Sequence, residues 1–459
     1  MKTNIVEKLL PLCAFVTLLP LVAVAAGCSN ETTVEQPNIL IIFPDDLGYE
    51  TIGAYGGQDF ETPNIDAMAA AGVRFSRAYT SPVCTPSRVS LHTGLYTFDH
   101  KQTDVLPVHL GTEESVDFSG TPTFAQLLQQ SGYQTSVTGK WQLATLCHHP
   151  DHPYVAGFDS WCVWQIWDCE HSAKTTRYKN PWLNQDGLVL DGSTITEDRL
   201  LPNGQTMPAG TVLTDATKQF GSDVLHRYVK DRMAQAVEAD EPFLIVHNMM
   251  LPHVPIVTTP DGGEASLVNM IAYMDRLVGE LLDEVEALGI RDNTYVFFIG
   301  DNGTQSGQPR NTVAGQVHGG KWKLDDAGTH VPFIVWGPSG IPVAGVSDDL
   351  VDITDVFPTM CEIAGVEIPA ELFIRGQSIA PQMHGQPSTQ SRSFVHGGIS
   401  GANALFDGQW RYVKKGDSET IIDARQLPQE ITEDPLTDEA MAAKERLASL
   451  FDELLAGRR

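Results

Sequence analysis

The chain has 459 residues, 42% of them hydrophobic, which suits two or three domains of ~100–200 residues or one large α/β domain with an annex. Charged residues make up only 19%, and acid outnumbers base 58 to 30, for a net charge of −28. That balance excludes wrapping of nucleic acid and docking on an anionic membrane through a basic patch, and the ordinary apolar content excludes disorder.

Residues 1–27 read as a secretory signal. Lys2 and Lys8 precede an apolar run from Leu9 to Ala26 that contains Pro11 and Pro20, and polar sequence follows at once, which argues against a spanning helix. The run ends Ala25-Ala26-Gly27-Cys28-Ser29, similar to a bacterial lipobox in which Cys28 is lipidated; the alternative is plain cleavage nearby. Either outcome exports the chain, as a periplasmic or outer-membrane-anchored lipoprotein or as a secreted protein. Residues 28–36 form a tether, and a lipid on Cys28 is the sole membrane contact expected.

From residue 37 onward strands alternate with helices. Residues 38–43, NILIIF, are a buried strand followed by Pro44-Asp45-Asp46. A helix opens at Thr62-Pro63-Asn64 and stops at Gly72, and residues 73–79 are a strand. Pro86 suits a first helical turn, and that helix runs from Ser87 to Thr93 before Gly94. Residues 121–130 are helical and 133–138 a strand. Residues 146–208 have weak periodicity and many aromatics, which predicts a long insertion of functional importance. Residues 220–237 are helical, 242–250 a buried strand, 265–288 a long amphipathic helix and 294–299 a strand that ends in Gly300-Asp301-Asn302-Gly303. A strand at 331–336 and a helix at 353–364 follow. This alternation predicts, over 37–380, an α/β fold with a large mixed, mostly parallel sheet sandwiched by helices. After Pro381 the pattern changes. Residues 394–399, 404–406 and 410–414 read as short antiparallel strands and 435–455 as an amphipathic helix, making a small C-terminal α+β subdomain over 381–459.

Open α/β sheets bind ligands beyond the carboxyl ends of their strands. Asp45 and Asp46 stand after one buried strand, Asp301 and Asn302 after another. Either pair alone reads as a solvated turn rather than a metal site. Together they offer four oxygen donors, which suits a hard divalent cation, Ca²⁺ or Mg²⁺.

Between them lies Ser81-Pro82-Val83-Cys84-Thr85-Pro86-Ser87-Arg88, with Cys84 just before a helix N-terminus that favours anions. Cys-x-Pro-Ser-Arg resembles the signature of the formylglycine-dependent sulfatases of the alkaline-phosphatase-like superfamily. Gly139-Lys140-Trp141, Pro252-His253, Gly300–Gly303 and Gly319-Gly320-Lys321 are similar to further blocks of that family, so the resemblance spans nearly the whole mature chain. It implies that Asp45, Asp46, Asp301, Asn302 and residue 84, as formylglycine, ligate the metal. It also implies that Arg88 holds the formylglycine hydrate, that Lys140, His253 and Lys321 contact the sulfate or leaving oxygen, and that a formylglycine-generating enzyme matures the protein. On that resemblance, one hydroxyl of the hydrate is expected to attack sulfur with Asp301 drawing off its proton, His253 to protonate the departing alcohol, and the second hydroxyl to allow sulfate to be expelled.

The chain also departs from the pattern. Gln142 stands where the family has His, which leaves the base for sulfate expulsion open among His148, His149, His152 and His318; alternatively Gln142 reads a substrate hydroxyl. Asp326-Ala327-Gly328 and His330 replace Glu-Gly-Gly and Arg, a change expected to affect loop packing. The rival readings are a core histidine for His253 and surface charges for Lys140 and Lys321, while His247 reads as structural. Cys147, Cys162 and Cys169 suggest a disulfide, with a zinc site among His148, His149, His152 and His171 as rival. Trp161, Trp164, Trp167, Tyr178 and Trp182 line a saccharide subsite or pack the insertion. The expected activity is hydrolysis of sulfate monoesters on a sulfated carbohydrate. The alternatives are an arylsulfatase on small esters, a phosphomonoester or phosphonate hydrolase on the same fold, and a non-catalytic sulfoglycan-binding protein.

Overall fold

Strand segments such as NILII, FLIVHN and TYVFFI are buried along their whole length, which a sheet satisfies only when helices cover both faces. The computed structural model describes residues 36–457 apart from 308, 339–340, 343–344, 388–391 and 425–435. The predicted signal and the tether up to residue 35, with Cys13 and Cys28, lie outside the described residues. The main sheet contains β1 (Asn38–Ile42), β2 (Val73–Tyr79), β3 (Gln134–Lys140), β4 (Ser160–Trp164), β5 (Leu183–Gln185), β6 (Leu188–Val189), β7 (Phe243–Asn248), β8 (Thr294–Ile299), β9 (His330–Trp336) and β10 (Gly345–Asp352). These ten strands run in the order β10-β2-β9-β8-β1-β7-β3-β4-β5-β6. The stretch β8-β1-β7-β3-β4 is parallel throughout. Antiparallel neighbours flank it, β9 on one side and β5 on the other.

Alternation along β1 divides the core in two. Leu40 and Ile42 enter one apolar cluster, Ile39, Ile41 and Phe43 the other. Each such side chain contributes ~1.5–3 kcal/mol by leaving water. The helices α1 (Pro63–Ala71), α4 (Gly221–Ala239) and α5 (Leu267–Ala287) supply the first cluster, while α2 (Cys84–Thr93), α3 (Phe124–Gln130) and α6 (Val356–Ile363) supply the second. The helix expected from residue 121 starts at Phe124 because Thr123 and Gln126 form a reciprocal capping box.

Residues 146–208 are less separate than their sequence indicates, since β4, β5 and β6 extend the main sheet. Cys147 and Cys169 form a disulfide, with the His148 ring beside their sulfurs; Cys162 and Cys361 are buried thiols. Strand β10 went unpredicted because its polar GVSDDLVD sequence sits at an edge.

The C-terminal strands β11 (Val395–Ile399), β12 (Ala402–Phe406), β13 (Trp410–Lys415) and β14 (Ser418–Asp423) make an antiparallel meander, the last of them unpredicted. Helix α7 (Asp438–Ala456), capped by Thr437, packs Ala443, Leu447 and Phe451 against Trp410 and Tyr412. Val395 and Phe406 meet Tyr79 of β2 and Leu350 of β10, so the small sheet docks on the large one through its own apolar cluster.

Candidate active site

Strands β8, β1, β7 and β3 are parallel neighbours, so residues that follow them converge on one edge whatever their separation in sequence. Asp45 and Asp46 follow β1, Asp301 and Asn302 follow β8, Lys140 closes β3 and Asn248 closes β7. Helix α2 brings Cys84 and Arg88 to the same edge. It begins at Cys84, one turn earlier than expected, so Cys84 occupies the first turn. The ligand atoms of Asp45, Asp46, Cys84 and Asp301 all lie within 4.8 Å of one another. The Asp46 N–H donates to Asp301 Oδ1 at 2.9 Å, tying the two strand-end loops together. Gly139 permits this convergence, because a Cβ there would fall 1.8 Å from the Asn248 carbonyl oxygen. Asp46 and Gln142 hold left-handed backbone, φ +64° and +53°. Each costs ~1–2 kcal/mol, and such strain concentrates at functional sites.

The structure brings Lys140, Lys321 and Arg88 against these carboxylates. Lys140, 1% exposed, donates to Asp45 Oδ1 at 2.7 Å, and Lys321, 6% exposed, donates to Asp46 Oδ1 at 2.6 Å; neither is a surface charge. Arg88 donates to Asp301 Oδ2 at 2.7 Å, to Asn248 Oδ1 at 2.8 Å and to the Lys140 carbonyl at 3.2 Å. His253 Nε2 lies 3.5 Å from Asp46 Oδ2, so this histidine borders the cluster. Two participants were not anticipated. Asn248 orients Arg88, and Arg177 donates to Asp45 Oδ2 at 2.7 Å. The only sequence signal for Arg177 is a basic residue amid the aromatics of the 146–208 stretch.

Titration in the cluster follows burial and charge. Burial works against ionisation of Asp45, but the cations around it (His253 when protonated, Lys140, Arg177 and Arg88) hold its carboxyl well below the usual range. Asp301 is pushed up to about 6 by burial and by the charge of Asp45. His253 is pushed down to about 4 by burial, with Arg177 and Lys140 adding to the effect. Burial and Asp301 raise the Cys84 thiol to about 12. A thiol so reluctant to ionise is a poor nucleophile as it stands.

Asp46 Oδ2 and Asn302 Oδ1 are buried acceptors with no hydrogen-bond donor. With Asp45 and Asp301 they compose an oxygen-donor set that fits a hard divalent cation. Cys84 Sγ, 3.3 Å from Asp45 Oδ1, stands where an oxygen of a formylglycine hydrate would be.

The stand-ins for the missing histidine lie elsewhere. His152 bonds to Trp141 Nε1 and the Val116 carbonyl, His148 and His149 reach the carbonyls of Gly111 and Glu113, and His318 is exposed on a hairpin. Gln142 Oε1 is buried without a donor. The altered late block does affect packing: Asp326 pairs with Arg411 of β13, which also donates to the Leu324 carbonyl at 2.6 Å, and His330 stacks on Tyr49 and Tyr79. Of the insertion aromatics, Trp161, Trp164 and Tyr178 are buried packing residues, while Trp167 and Trp182 are half-buried.

Residues 37–366 match the family model described as Sulfatase. The chain is 26% identical to an N-acetylgalactosamine-6-O-sulfatase of Bacteroides thetaiotaomicron, across 91% of this chain and 90% of that protein. It is 30% identical to the N-acetylgalactosamine-6-sulfatase of Canis lupus familiaris, across 83% of this chain and 72% of that one. Among solved structures, a protein described under metabolism of multiple glycosaminoglycans by Bacteroides thetaiotaomicron shares the fold with a TM-score of 0.74 at 23% identity, covering 92% of this chain and 99% of that one.

Proposed function

The chain belongs to the sulfatase family, and from that premise we propose that it removes sulfate from a sulfated carbohydrate, using formylglycine at residue 84 and a bound divalent cation, calcium or magnesium. It is a sulfuric ester hydrolase. The observation that carries the mechanism is the convergence of Cys84, Asp45, Asp46 and Asp301 within 4.8 Å, ringed by buried cations. The carbohydrate is supported by the names of the two relatives, which act on N-acetylgalactosamine 6-sulfate.

The cation, when bound, supplies Lewis-acid polarisation of the sulfate oxygens. Formylglycine supplies a hydrate oxygen to attack sulfur and a second hydroxyl for release. Lys140 and Lys321 place ammonium charge beside those oxygens as negative charge develops on them. Arg88, fixed by Asp301 and Asn248, orients residue 84. Asp301, beside Arg88 and residue 84, would take the proton from the hydroxyl at residue 84. His253 is a neutral imidazole at neutral pH in the resting cluster; the charge of bound sulfate raises its pKa and equips it, once protonated, to give a proton to the leaving oxygen. Gln142 Oε1 accepts from a hydroxyl of the substrate or of residue 84.

Mass analysis of the peptide around residue 84 from protein made in its native host is expected to show the aldehyde or its hydrate, and that protein to release sulfate from sulfated N-acetylgalactosamine. An intact thiol in active protein would defeat the mechanism. The same reading includes maturation by a formylglycine-generating enzyme and export with a lipid on Cys28, for which residues 9–29 are the support.

A further inference from the structure

Strand β3 ends at Lys140 in the catalytic cluster and begins at Gln134, so its start lies ~20 Å from the chemistry, at the opposite edge of the sheet. A cavity of about 480 Å³ opens there, within the size range of small-ligand sites. The starts of β3 and β4 supply Ser136 and Ser160, helix α4 supplies Arg232 and Gln235, and the hairpin that pairs Arg199–Leu200 with Thr206–Met207 supplies Asn203 and Gln205. Every residue that lines the cavity is polar or charged, which excludes an apolar ligand.

Arg232 has bonding capacity to spare. Its Nη1 donates to Ser160 Oγ at 3.2 Å, its guanidinium lies 5.7 Å from the centroid of the Tyr228 ring, its Nε is buried with no acceptor, and among the described residues it forms no ion pair. The carboxylates of the cavity are already engaged. Asp159 accepts from the Thr135 N–H at 3.1 Å, from the Thr135 hydroxyl at 2.9 Å and from Gln129 Nε2 at 2.7 Å, and Glu241 accepts from Gln134. A guanidinium without a counterion calls for an anion, and its fork of donors suits an oxyanion. Gln235 follows Arg232 by three residues on the same face of α4, and its amide makes no hydrogen bond among the described residues. Asn203 Nδ2 donates to the Asp159 carbonyl at 2.8 Å, which holds the hairpin over the strand starts. Arg232 and Gln235 also line a smaller hollow of about 190 Å³, together with Arg227 and the exposed Asp231, so the guanidinium stands on the partition between two openings.

We propose that this cavity is a second, non-catalytic glycan site, which takes a sulfated sugar unit with its sulfate on Arg232 and its hydroxyls on Gln235, Gln205 and Ser136. It holds a distant stretch of the polymer whose sulfate esters are cut at the other edge of the sheet, and two contacts on one polymer raise its affinity above that of either alone. The choice of a sulfated polymer rests on the sulfatase reading above; the anion and hydroxyl chemistry of the cavity does not.

Titration calorimetry on the metal-loaded full chain carrying Cys84→Ala, which holds substrate without turning it over, reads the stoichiometry. N-acetylgalactosamine 6-sulfate is expected to fill two sites per chain, and only one when Arg232→Ala or Gln235→Glu is added. Gln235→Glu sets a carboxylate beside the guanidinium from an exposed position, so it tests the site without a burial penalty. Inorganic sulfate and unsulfated N-acetylgalactosamine are each expected to bind the second site ~10-fold more weakly than the sulfated sugar. In the active enzyme both variants are expected to leave kcat/KM on the monosaccharide sulfate unchanged and to lower it ~10-fold on a sulfated polymer, the scale of one charge-assisted hydrogen bond. A single site for the monosulfate in the parent, equal binding of inorganic sulfate at the second site, or rates on polymer and monosaccharide that fall together would overturn the proposal. Sulfate release by the unsubstituted enzyme is followed in parallel. Its absence would count against the sulfatase reading itself, while the calorimetric stoichiometry still decides the cavity.

Discussion

Asp45, Asp46, Lys140, Asp301 and Asn302 stand at or just beyond the ends of parallel strands, where the register of the backbone ladder sets their positions. Arg177 stands in a loop between short strands, held by Trp164, Tyr178 and a stretch of chain that the Cys147–Cys169 bridge ties back on itself. The first half of the site is built from the sheet, the second from side-chain contacts on the insertion. Chemistry that tolerates little displacement belongs on the first, and recognition that differs between substrates belongs on the second, where a loop can change without unmaking the sheet.

Substitutions can separate the halves. Cys84→Ala should have the largest effect, a loss of ~10⁶-fold in sulfate release, the scale reached when a covalent nucleophile is removed. Its melting temperature should stay close to that of the parent, because the Cys84 side chain makes only the long sulfur contacts to Asp45 and Asp46. Chelation should abolish turnover reversibly, and titrating calcium or magnesium back into the stripped enzyme would identify the native ion; full activity after exhaustive stripping would remove the metal from the strand-end half. Lys140→Ala is expected to lower kcat by ~10²–10³-fold on small and large esters alike, as loss of one charge-stabilising donor does. An effect confined to saccharides would move Lys140 into the recognition half.

Replacing Cys147 and Cys169 by serine opens a crosslink between residues 22 apart and should destabilise by ~3 kcal/mol. Here kcat/KM on a sulfated saccharide should fall further than on a small aryl sulfate; equal losses would contradict the division proposed. The smallest effect is expected from iodoacetamide on protein whose Cys84 is unconverted. With a pKa of about 12, roughly one thiol in 10⁴ is ionised at pH 8, rising tenfold per pH unit, so labelling at pH 8 should be negligible until the chain is unfolded. Rapid labelling of the folded protein would mean that the cluster is more open than described.

The same division governs what the sequence disclosed. Asp45-Asp46 and Asp301-Asn302 are legible because apolar runs stop abruptly at them, and parallel topology brings strand ends together without knowledge of any side chain. Cys84 and Arg88 are legible through a local motif. Arg177 is not, because its partner Asp45 lies 132 positions away and the contact is made by side-chain reach, which leaves no period in the sequence. β5 and β6 are too short to alternate, and β10 carries Asp348 and Asp349 along an edge, so hydrophobic periodicity passes over all three. Trp161 and Tyr178 read equally as sugar platforms or packing until burial decides for packing.

Arg411 links the end of the chain to its chemistry. From β13 it grips the carbonyl of Leu324 and the carboxylate of Asp326, just beyond Lys321, whose own N–H is tied to the Thr304 carbonyl beside the second ligand pair. The loop that follows Lys321 therefore has a second brace, supplied by the C-terminal meander, beside its own bonds to Thr304 and Asp46. A chain cut short before β13 would retain every strand of the parallel core and still lack the brace that Arg411 puts on the carbonyl of Leu324 and the carboxylate of Asp326.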